Sequence, residues 1–223
     1  VQMIVDGGPG NKILYQLGKY IPFHDTRIEY LLLTHPHDDH LVGLLEVLDR
    51  YEVGTIFYYP VCFENENYKY LLSNYQNLKA VSKGTTIRLK DIEMKVLWPE
   101  LNSRVDECIA SYDGNINNDS IVLDFEYLEK RFLLMGDIEQ EVERVLVREK
   151  ILNGGYDVLK AGHHCSNTSN SETFLRSVSP QLSVCSLGEG NRFGHPGSET
   201  LNNFAKLDVQ HFITSEVGNI QIK

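Results

Sequence analysis

The stretch LLLTHPHDDHLVGL, Leu31 to Leu44, places three histidines and two aspartates within six residues, between two apolar runs. The leading run has the length of a buried β-strand, and the leucines that follow have helical spacing. In an extended segment, residues two apart point the same way, so His35 and His37 can bind one ion together. Asp39 and His40 then lie at the start of the helix and can turn toward a second ion. Imidazole and carboxylate ligands suit zinc, manganese or iron, so the stretch predicts a metal site.

A histidine-rich surface loop is the alternative interpretation of this stretch. Buried histidines usually occur singly, and an apolar strand that leads directly into an H-x-H-x-D-H run is hard to explain without a ligand. We therefore favour the metal site. Asp38 is the one acidic residue of the run that we do not expect to be a ligand.

Length, charge and cysteine content limit the remaining interpretations. The chain has 223 residues, a net charge of −10 and four cysteines, none of them in a CxxC pair. A broad basic nucleic-acid-binding surface is therefore not expected, although bound divalent cations can supply positive charge locally. We expect free, mostly buried thiols. Because the sequence begins at Val1, within a predicted strand, we expect a fragment or a trimmed version of a longer chain.

Strands alternate with helices through both halves of the sequence. The pattern predicts strands at residues 1–5, 30–34, 53–59, 120–125, 131–135, 156–161, 182–186, 209–213 and 219–222, with a hairpin at 85–97. Helices are predicted at residues 11–20, 41–48, 64–75, 137–152, 172–178 and 198–207. No obvious linker divides these elements, so we predict one compact α/β domain over residues 1–223.

Further ligand-type side chains follow other predicted strands. Asp137 ends an apolar strand and is a candidate bridge between two metal ions or, alternatively, a cap of the next helix. His163 and His164 end another strand. One of them is a candidate metal ligand, and its neighbour is a candidate for substrate contact or proton donation. His195 lies in a loop between Gly and Pro, where a catalytic role and a turn role are both open.

Candidate substrate-binding residues lie in polar loops. Asn191 and Arg192 suit an anionic leaving group or a phosphate. Asn118 and Ser120 precede an apolar strand, where a strand-entry turn is the alternative interpretation. The full set of substrate-binding candidates is Asn118, Ser120, Ser166, Asn191 and Arg192.

These motifs together resemble a known family. His35-Pro-His-Asp-Asp-His40 is similar to the H-x-H-x-D-H signature of the metallo-β-lactamase superfamily. Ile4-Val-Asp-Gly-Gly8 resembles the early strand and turn of that superfamily, where the aspartate supports the metal-site loops. Residues 118–123, 133–137, 158–166 and 191–196 resemble the C-terminal domain of the ComEC competence proteins, which take up DNA. The resemblance covers nearly the whole chain and implies a four-layer αββα sandwich with metals at one edge of two sheets.

The resemblance also implies a set of metal ligands. They are His35 and His37 for the first ion, Asp39 and His40 for the second, Asp137 as the bridge and His163 as the last ligand. Two features depart from the superfamily pattern. No histidine lies in residues 115–120, as in the ComEC branch, and Cys165 replaces the usual glycine. If that position needs a positive φ, a side chain there carries a steric cost.

The expected activity is metal-dependent hydrolysis. Two divalent ions, Zn²⁺ or Mn²⁺, would generate a hydroxide that attacks a phosphodiester of DNA. Asp39, His164 and His195 are the candidate catalytic residues. The alternatives are a hydrolase of a small β-lactam, lactone or thioester, and a non-catalytic metal-binding module.

The resemblance implies partners and a location as well. Single-stranded DNA is the implied substrate, and a membrane-channel domain outside this sequence is the implied tether. The chain would then lie on the extracytoplasmic face of the membrane, and otherwise in the cytoplasm. We expect a monomer.

Overall fold

The computed structural model describes residues 1–101 and 108–222, and the chain divides into two compact units. Unit 1 comprises Val1–Lys83 and Pro99–Ile121, and unit 2 comprises Gly84–Trp98 and Val122–Lys223. Each unit has a β-sheet of its own. The expectation of a single domain over residues 1–223 stays a prediction. Among the described residues, no helix has the length and apolar character needed to span a membrane.

Unit 1 alternates strands and helices from its start. Its elements are β1 (Met3–Val5), α1 (Lys12–Tyr20), β2 (Arg27–Leu32), α2 (Asp38–Leu48), β3 (Glu52–Tyr58), α3 (Glu66–Asn74) and β4 (Leu78–Ala80). The strands form a parallel sheet in the order β1-β2-β3-β4. Ile28, Leu31 and Leu32 of β2 have no exposed surface, as expected for a strand covered on both faces. The chain therefore enters the histidine-rich stretch from the most buried strand of this sheet.

Unit 2 contains a larger, mixed sheet. Its elements are β5 (Thr86–Leu89), β6 (Ile92–Trp98), β7 (Val122–Tyr127), β8 (Lys130–Leu134), α4 (Gln140–Arg148), β9 (Val158–Lys160), α5 (Glu172–Val178), β10 (Leu182–Cys185), α6 (Ser198–Lys206), β11 (Gln210–Ile213) and α7 (Thr214–Val217). The strand order is β11-β10-β9-β8-β7-β6-β5. Strands β5 to β8 pair antiparallel, and β8 to β11 pair parallel. The parallel half places the ends of β8 and β9 side by side, and each leads into candidate ligands.

Most predicted elements are present with shifted ends, and four differ, among them the short helix α7, which was not predicted. Helix α4 is shorter than the predicted helix over residues 137–152. Strand β4 was not predicted because its three residues are half-buried or exposed and give no apolar signal. The strand predicted at residues 219–222 is wrong. That segment follows Gly218, whose φ is 74°, and its residues are exposed or half-buried, so the alternating isoleucines there pack into no sheet.

The expectation of free thiols is also wrong. Cys62 is bonded to Cys108 in unit 1, and Cys165 is bonded to Cys185 in unit 2. The paired cysteines are 46 and 20 residues apart, with Cα atoms 4.8 and 5.4 Å apart. Tertiary structure brings them within bonding distance, which their irregular spacing in the sequence did not indicate.

Candidate metal centre

The histidines of the opening stretch cluster in unit 1. His35 and His40 are each 2% exposed, and their ring centroids are 4.2 Å apart. The Nε2 atom of His35 lies 3.0 Å from Nδ1 of His37, whose ring packs edge-on against Phe63. We call His35, His37 and His40 the histidine cluster. Three imidazoles so close together, two of them buried and that of His37 half-buried, suit a metal ion better than three separate structural roles.

Asp6 fixes the orientation of the His40 ring by contacting its Nδ1 atom. Its Oδ2 atom lies 2.7 Å from Nδ1 of His40, and its carboxylate also accepts hydrogen bonds from the Thr34 N–H and hydroxyl at 2.8 Å. A carboxylate on Nδ1 favours the tautomer whose Nε2 lone pair faces the other way, and metal-binding histidines commonly have such a partner. The expected supporting role of this aspartate is therefore visible in the structure.

Two glycines allow the loop after β1 to lie against α2. A Cβ atom on Gly43 would lie 2.0 Å from the carbonyl oxygen of Gly7, and a Cβ on Gly7 would lie 2.1 Å from the backbone nitrogen of Leu44. The Gly7 N–H donates to the His40 carbonyl at 2.8 Å, and the Gly43 N–H donates to Gly8 at 2.9 Å. This close backbone contact holds Asp6 beside His40.

The two aspartates of the opening stretch differ in their surroundings. Helix α2 begins at Asp38, so Asp39 and His40 lie in its first turn as predicted. Asp39 is half-buried, and one of its carboxylate oxygens lies within 4.8 Å of a ring nitrogen of His40. Asp38 is exposed and accepts hydrogen bonds from Asn65 and Asn67 at 3.0 Å. Asp39 thus lies beside His40, and its role as a metal ligand stays a prediction, whereas Asp38 connects α2 to α3.

Two of the substrate-binding candidates are buried in unit 1. Asn118 is 1% exposed, lies in a 3-10 turn at Ile116–Asp119, and donates to Asp113 at 2.7 Å. Ser120 has no exposed surface. Asp119, between them, accepts a hydrogen bond from the Tyr112 N–H, and burial raises the pKa of its carboxyl. A role of Asn118 and Ser120 in substrate binding stays a prediction.

In unit 2, Asp137 follows β8 and lies beside His164. The Nε2 atom of His164 is 3.2 Å from Oδ2 of Asp137, and its Nδ1 atom is 2.5 Å from the carbonyl oxygen of Ser186. Because a carbonyl only accepts, Nδ1 carries the proton and the lone pair of neutral His164 is on Nε2. That lone pair faces a carboxylate oxygen, so the pair is suited to hold a cation or a proton between them.

His163 has a different partner, Glu139, which the sequence did not single out. The Nδ1 atom of His163 lies 3.2 Å from Oε1 of Glu139 and 3.2 Å from the Thr168 hydroxyl. Glu139 lies two residues after Asp137, at the N-terminus of α4. The assignment of His163 as the last metal ligand stays a prediction, and the structure places His164, not His163, against Asp137.

The two histidines lie in a turn of unusual backbone conformation. The φ angles of His163, His164 and Cys165 are 45°, 51° and 62°, so three consecutive non-glycine residues adopt left-handed conformations. Each such residue costs of order 1 kcal/mol, and surrounding contacts must hold it. The disulfide to Cys185 in β10 is one of them. Cys165 thus has the positive φ whose cost was foreseen, and its sulfur is bonded to another strand.

A buried carboxylate holds the start of this turn. Glu143 has no exposed surface and accepts hydrogen bonds from the Asn170 N–H and from the N–H and hydroxyl of Ser171. The Asn170 amide bonds both the N–H and the carbonyl of Gly162, at 3.0 and 3.1 Å. Burial raises the pKa of Glu143 to about 7, against the lowering effect of these hydrogen bonds. Glu143 therefore positions the residue that precedes His163.

The remaining candidates lie near this turn in unit 2. The ring of His195 is 5.4 Å from that of His163, and the Asn191 side chain bonds the N–H and carbonyl of His195 at 3.0 and 2.7 Å. Ser166 is buried, with its hydroxyl 3.1 Å from that of Thr168. Asn191 thus holds the His195 loop in shape. Substrate binding by Ser166 and Asn191 stays a prediction.

Arg192 and Phe193 occupy the exposed tip of the same loop. Arg192 is exposed, and Phe193 is 77% exposed with its ring stacked on His195 at a centroid distance of 5.9 Å. No sequence pattern marks Phe193, because a single phenylalanine in a short loop gives no periodic signal. An exposed phenylalanine beside an arginine and a histidine is nevertheless suited to contact a planar, anionic ligand.

Comparison with known proteins identifies the fold of this chain. The model of the metallo-β-lactamase superfamily matches residues 2–105. The metallo-β-lactamase fold protein YhfI from Bacillus subtilis superposes with a TM-score of 0.58 and 10% identity, over 95% of this chain and 83% of that chain. The β-hydroxylase CmlA superposes with a TM-score of 0.56 and 14% identity, over 88% and 44%. The chain has the metallo-β-lactamase fold, and both the predicted α/β fold class and the resemblance to this superfamily are confirmed.

Curated relatives narrow the class further. The chain is 30% identical to ComE operon protein 3 of Bacillus subtilis, over 96% of this chain and 26% of that protein. It is 27% identical to Recombination protein 2 of Haemophilus influenzae, over 99% and 26%. A shorter match, 36% identical, is to Competence protein ComA of Neisseria gonorrhoeae, over 40% and 13%. The predicted resemblance to ComEC competence proteins is confirmed, and the chain spans about a quarter of the length of the first two relatives.

Proposed function

We propose that this chain is a metal-dependent phosphodiesterase that cleaves DNA, with single-stranded DNA as its substrate. The fold supports divalent metal binding and hydrolysis. The competence proteins to which the chain is similar support a role related to DNA. The candidate metal centre and the loop at His195 support the proposed reaction and substrate.

The exposed loop tip at Arg192 and Phe193 is the main support for the proposal of a nucleotide substrate. The guanidinium of Arg192 suits a phosphate, and the Phe193 ring, stacked on His195, suits a nucleobase. A simple lactone or thioester offers neither a base to stack nor a phosphodiester to hold. The loop therefore favours DNA over the small substrates considered from the sequence.

We propose Zn²⁺ or Mn²⁺ as the bound ions. Imidazole nitrogens and carboxylate oxygens suit both, and Asp6 and Ser186 orient His40 and His164 through their Nδ1 atoms. The proposed ligands are His35, His37, Asp39, His40, Asp137 and one of the adjacent histidines His163 and His164. When bound, such ions activate water and supply positive charge at the phosphate.

We propose that His164 is the ligand that accompanies Asp137. Its Nε2 lone pair faces the Asp137 carboxylate at 3.2 Å, whereas Nδ1 of His163 contacts Glu139. The Glu139 carboxylate favours the same kind of tautomer in His163, with Nε2 able to take up a proton. This assignment gives the two neighbouring histidines different roles.

The proton needed for hydrolysis can be carried by the chain itself. Hydrolysis breaks one P–O bond, adds the oxygen of water to phosphorus and gives a proton to the leaving sugar oxygen. His163, with Glu139 on its Nδ1 atom, is suited to carry that proton, and Arg192 is suited to hold the phosphate. Asp39 and His195 keep their predicted catalytic roles as proposals.

The test compares DNA with a small substrate. We would measure turnover of a single-stranded oligonucleotide and of nitrocefin by the wild type and by Phe193→Ala, with Mn²⁺ or Zn²⁺ present. We expect DNA cleavage, no nitrocefin turnover, and a KM for DNA raised about 10-fold in the variant with little change in kcat. Tyr127→Ala, which removes another exposed ring of unit 2, is the matched control. Faster turnover of nitrocefin than of DNA would contradict the proposal.

The wider context stays a proposal. A tether to a membrane-channel domain, a position on the extracytoplasmic face of the membrane and a monomeric state are all expectations from the resemblance. Expression of the full-length gene product, followed by protease accessibility from each side of the membrane, would test the tether and the location together.

A further inference from the structure

One helix of unit 1 carries a basic and aromatic surface in an otherwise acidic chain. Residues 7–24 contain no aspartate or glutamate, although the chain has 31 of them. Within this segment Tyr15, Tyr20 and Phe23 are 70%, 59% and 98% exposed, and Lys12 and Lys19 are exposed beside them. We call these five residues the α1 surface. The α1 surface carries positive charge, whereas the chain as a whole is negatively charged.

The folding of α1 does not need these side chains. The opposite face of the helix carries Ile13, Leu14 and Leu17, which pack against the core of unit 1 together with Ile21. Partial burial of that face stabilises the helix. Several large exposed rings that lie together more often mark a binding surface than a structural requirement.

A cavity lies beside Tyr15. It has a volume of about 560 Å³ and is lined by Asn11, Lys12, Leu14, Tyr15, Gln16 and Arg50. The Lys19 ammonium lies 4.3 Å from the centroid of the Tyr15 ring and 3.1 Å from the Gln16 amide oxygen. A cavity of this size suits a small planar ligand. It combines an aromatic ring, two cations and two amides, which together match a base and its phosphate.

We propose that the α1 surface binds single-stranded nucleic acid, with a base stacked near Tyr15 and phosphates held by Lys12, Lys19 and Arg50. Aromatic rings interleaved with cations are the common means of binding single strands without sequence preference. A membrane surface would also attract lysines and aromatic rings, but it needs no cavity lined by amides. The cavity therefore favours the nucleic acid.

The α1 surface lies close enough to the histidine cluster for one strand of nucleic acid to reach both. Asn11, which lines the cavity, is five residues from Asp6, which bonds His40. Five residues span at most about 18 Å, so the cavity and the histidine cluster lie within a few nucleotides of each other. The proposal rests on the proposed function only in taking the same polymer as ligand, because binding here needs neither metal nor cleavage.

The test is binding of a fluorescein-labelled oligothymidine, followed by anisotropy in EDTA so that no cleavage occurs. We expect Tyr15→Ala to weaken binding about 10-fold, and Lys12→Ala to reduce the slope of log affinity against log salt by about 0.7. The matched control is Tyr70→Ala in α3, where the ring is 47% exposed and the neighbouring Lys69 is paired with Glu64 and Glu66. Thermal unfolding would verify that each variant is folded.

Three outcomes would overturn this proposal. They are unchanged binding by Tyr15→Ala, an equal loss in Tyr70→Ala, and Tyr15-dependent binding to anionic phospholipid vesicles but not to the oligonucleotide. DNA cleavage by a protein whose binding does not depend on Tyr15 would leave the proposed function standing. Tyr15-dependent binding by a protein that cleaves no DNA would support the α1 surface and contradict the proposed function.

Discussion

The Oδ2 atom of Asp6 lies 2.7 Å from the Nδ1 atom of His40, a residue 34 positions further along the chain. The same carboxylate accepts two hydrogen bonds from Thr34, the residue directly before His35. One side chain from the first loop of unit 1 therefore fixes both the tautomer of His40 and the path of the chain into the histidine cluster.

Removing this carboxylate should weaken metal binding without removing a ligand. We expect Asp6→Ala to lower the affinity for Zn²⁺ by about 10- to 100-fold, because His40 loses the partner that orients Nε2. Titration against a chromophoric chelator measures this directly. Asp38→Ala, which removes an exposed carboxylate of α2, is the control and should leave the affinity unchanged. Equal Zn²⁺ affinities for Asp6→Ala and wild type would show that the pair does not support a metal ligand.

Substitution of each of the adjacent histidines His163 and His164 should distinguish their roles. We expect His164→Ala to lower metal affinity by at least about 10-fold, since its Nε2 faces Asp137. His163→Ala should keep the metal and instead lower kcat, since its partner is Glu139. Metal content and kcat of the two variants provide both readouts. Loss of metal in His163→Ala with retention in His164→Ala would reverse the assignment.

The contact of Gly43 with Gly7 predicts a local steric effect. A Cβ at residue 43 would meet the Gly7 carbonyl oxygen at 2.0 Å, so the loop that carries Asp6 must move away. We expect Gly43→Ala to destabilise the protein by about 1–3 kcal/mol in urea unfolding and to weaken metal binding. Gly18→Ala is the control, because a Cβ there meets nothing within 4 Å in α1, and it should stabilise slightly. A neutral Gly43→Ala would mean that this backbone contact is not close in solution.

Glu143 should make stability depend on pH. Burial raises the pKa of its carboxyl from 4.5 to about 7, so the folded state favours the protonated form. The resulting stability is fully present below pH 4.5 and is lost as the pH rises through 7. A rise of this size corresponds to about 3 kcal/mol.

We would measure unfolding free energies of the wild type and of Glu143→Gln between pH 4 and pH 8. The wild type should lose stability relative to the variant as the pH rises, because glutamine does not ionise. Glu141→Gln, on the same helix with a more exposed side chain, should follow the wild type throughout. A constant difference between wild type and Glu143→Gln would indicate that Glu143 titrates at its ordinary pKa.

Local patterns predicted the elements that lead into the candidate site. The apolar run before His35 specified a buried strand, and the leucines after it specified a helix that begins where Asp39 and His40 are needed. The strands predicted at residues 120–125 and 131–135 meet in a turn at Leu128 and Glu129, and both residues adopt the positive φ that a tight hairpin requires. Each of these signals spans fewer than a dozen residues, so a single sequence contains it.

Features that depend on distant parts of the chain could not be predicted in the same way. Glu143 lies on a helix rich in charged residues, and nothing local marks it as the one that is buried against Asn170. Pairing of Cys165 with Cys185 depends on the parallel pairing of β9 with β10. The roles of His163 and His164 depend on which carboxylate each ring reaches, and adjacent residues of the same type give no sequence signal for that difference.

The most direct test of the proposed nuclease activity is whether DNA cleavage depends on metal. The purified protein would be stripped with EDTA, mixed with a 5′-labelled single-stranded oligonucleotide, and then titrated with Mn²⁺, beside Asp137→Ala treated identically. We predict no cleavage in EDTA, cleavage that rises to saturation with Mn²⁺ in the wild type, and a rate at least about 100-fold lower in the variant. Cleavage that persists in EDTA or is undiminished in Asp137→Ala, or no cleavage at any concentration of Mn²⁺ or Zn²⁺, would contradict a metal-dependent nuclease.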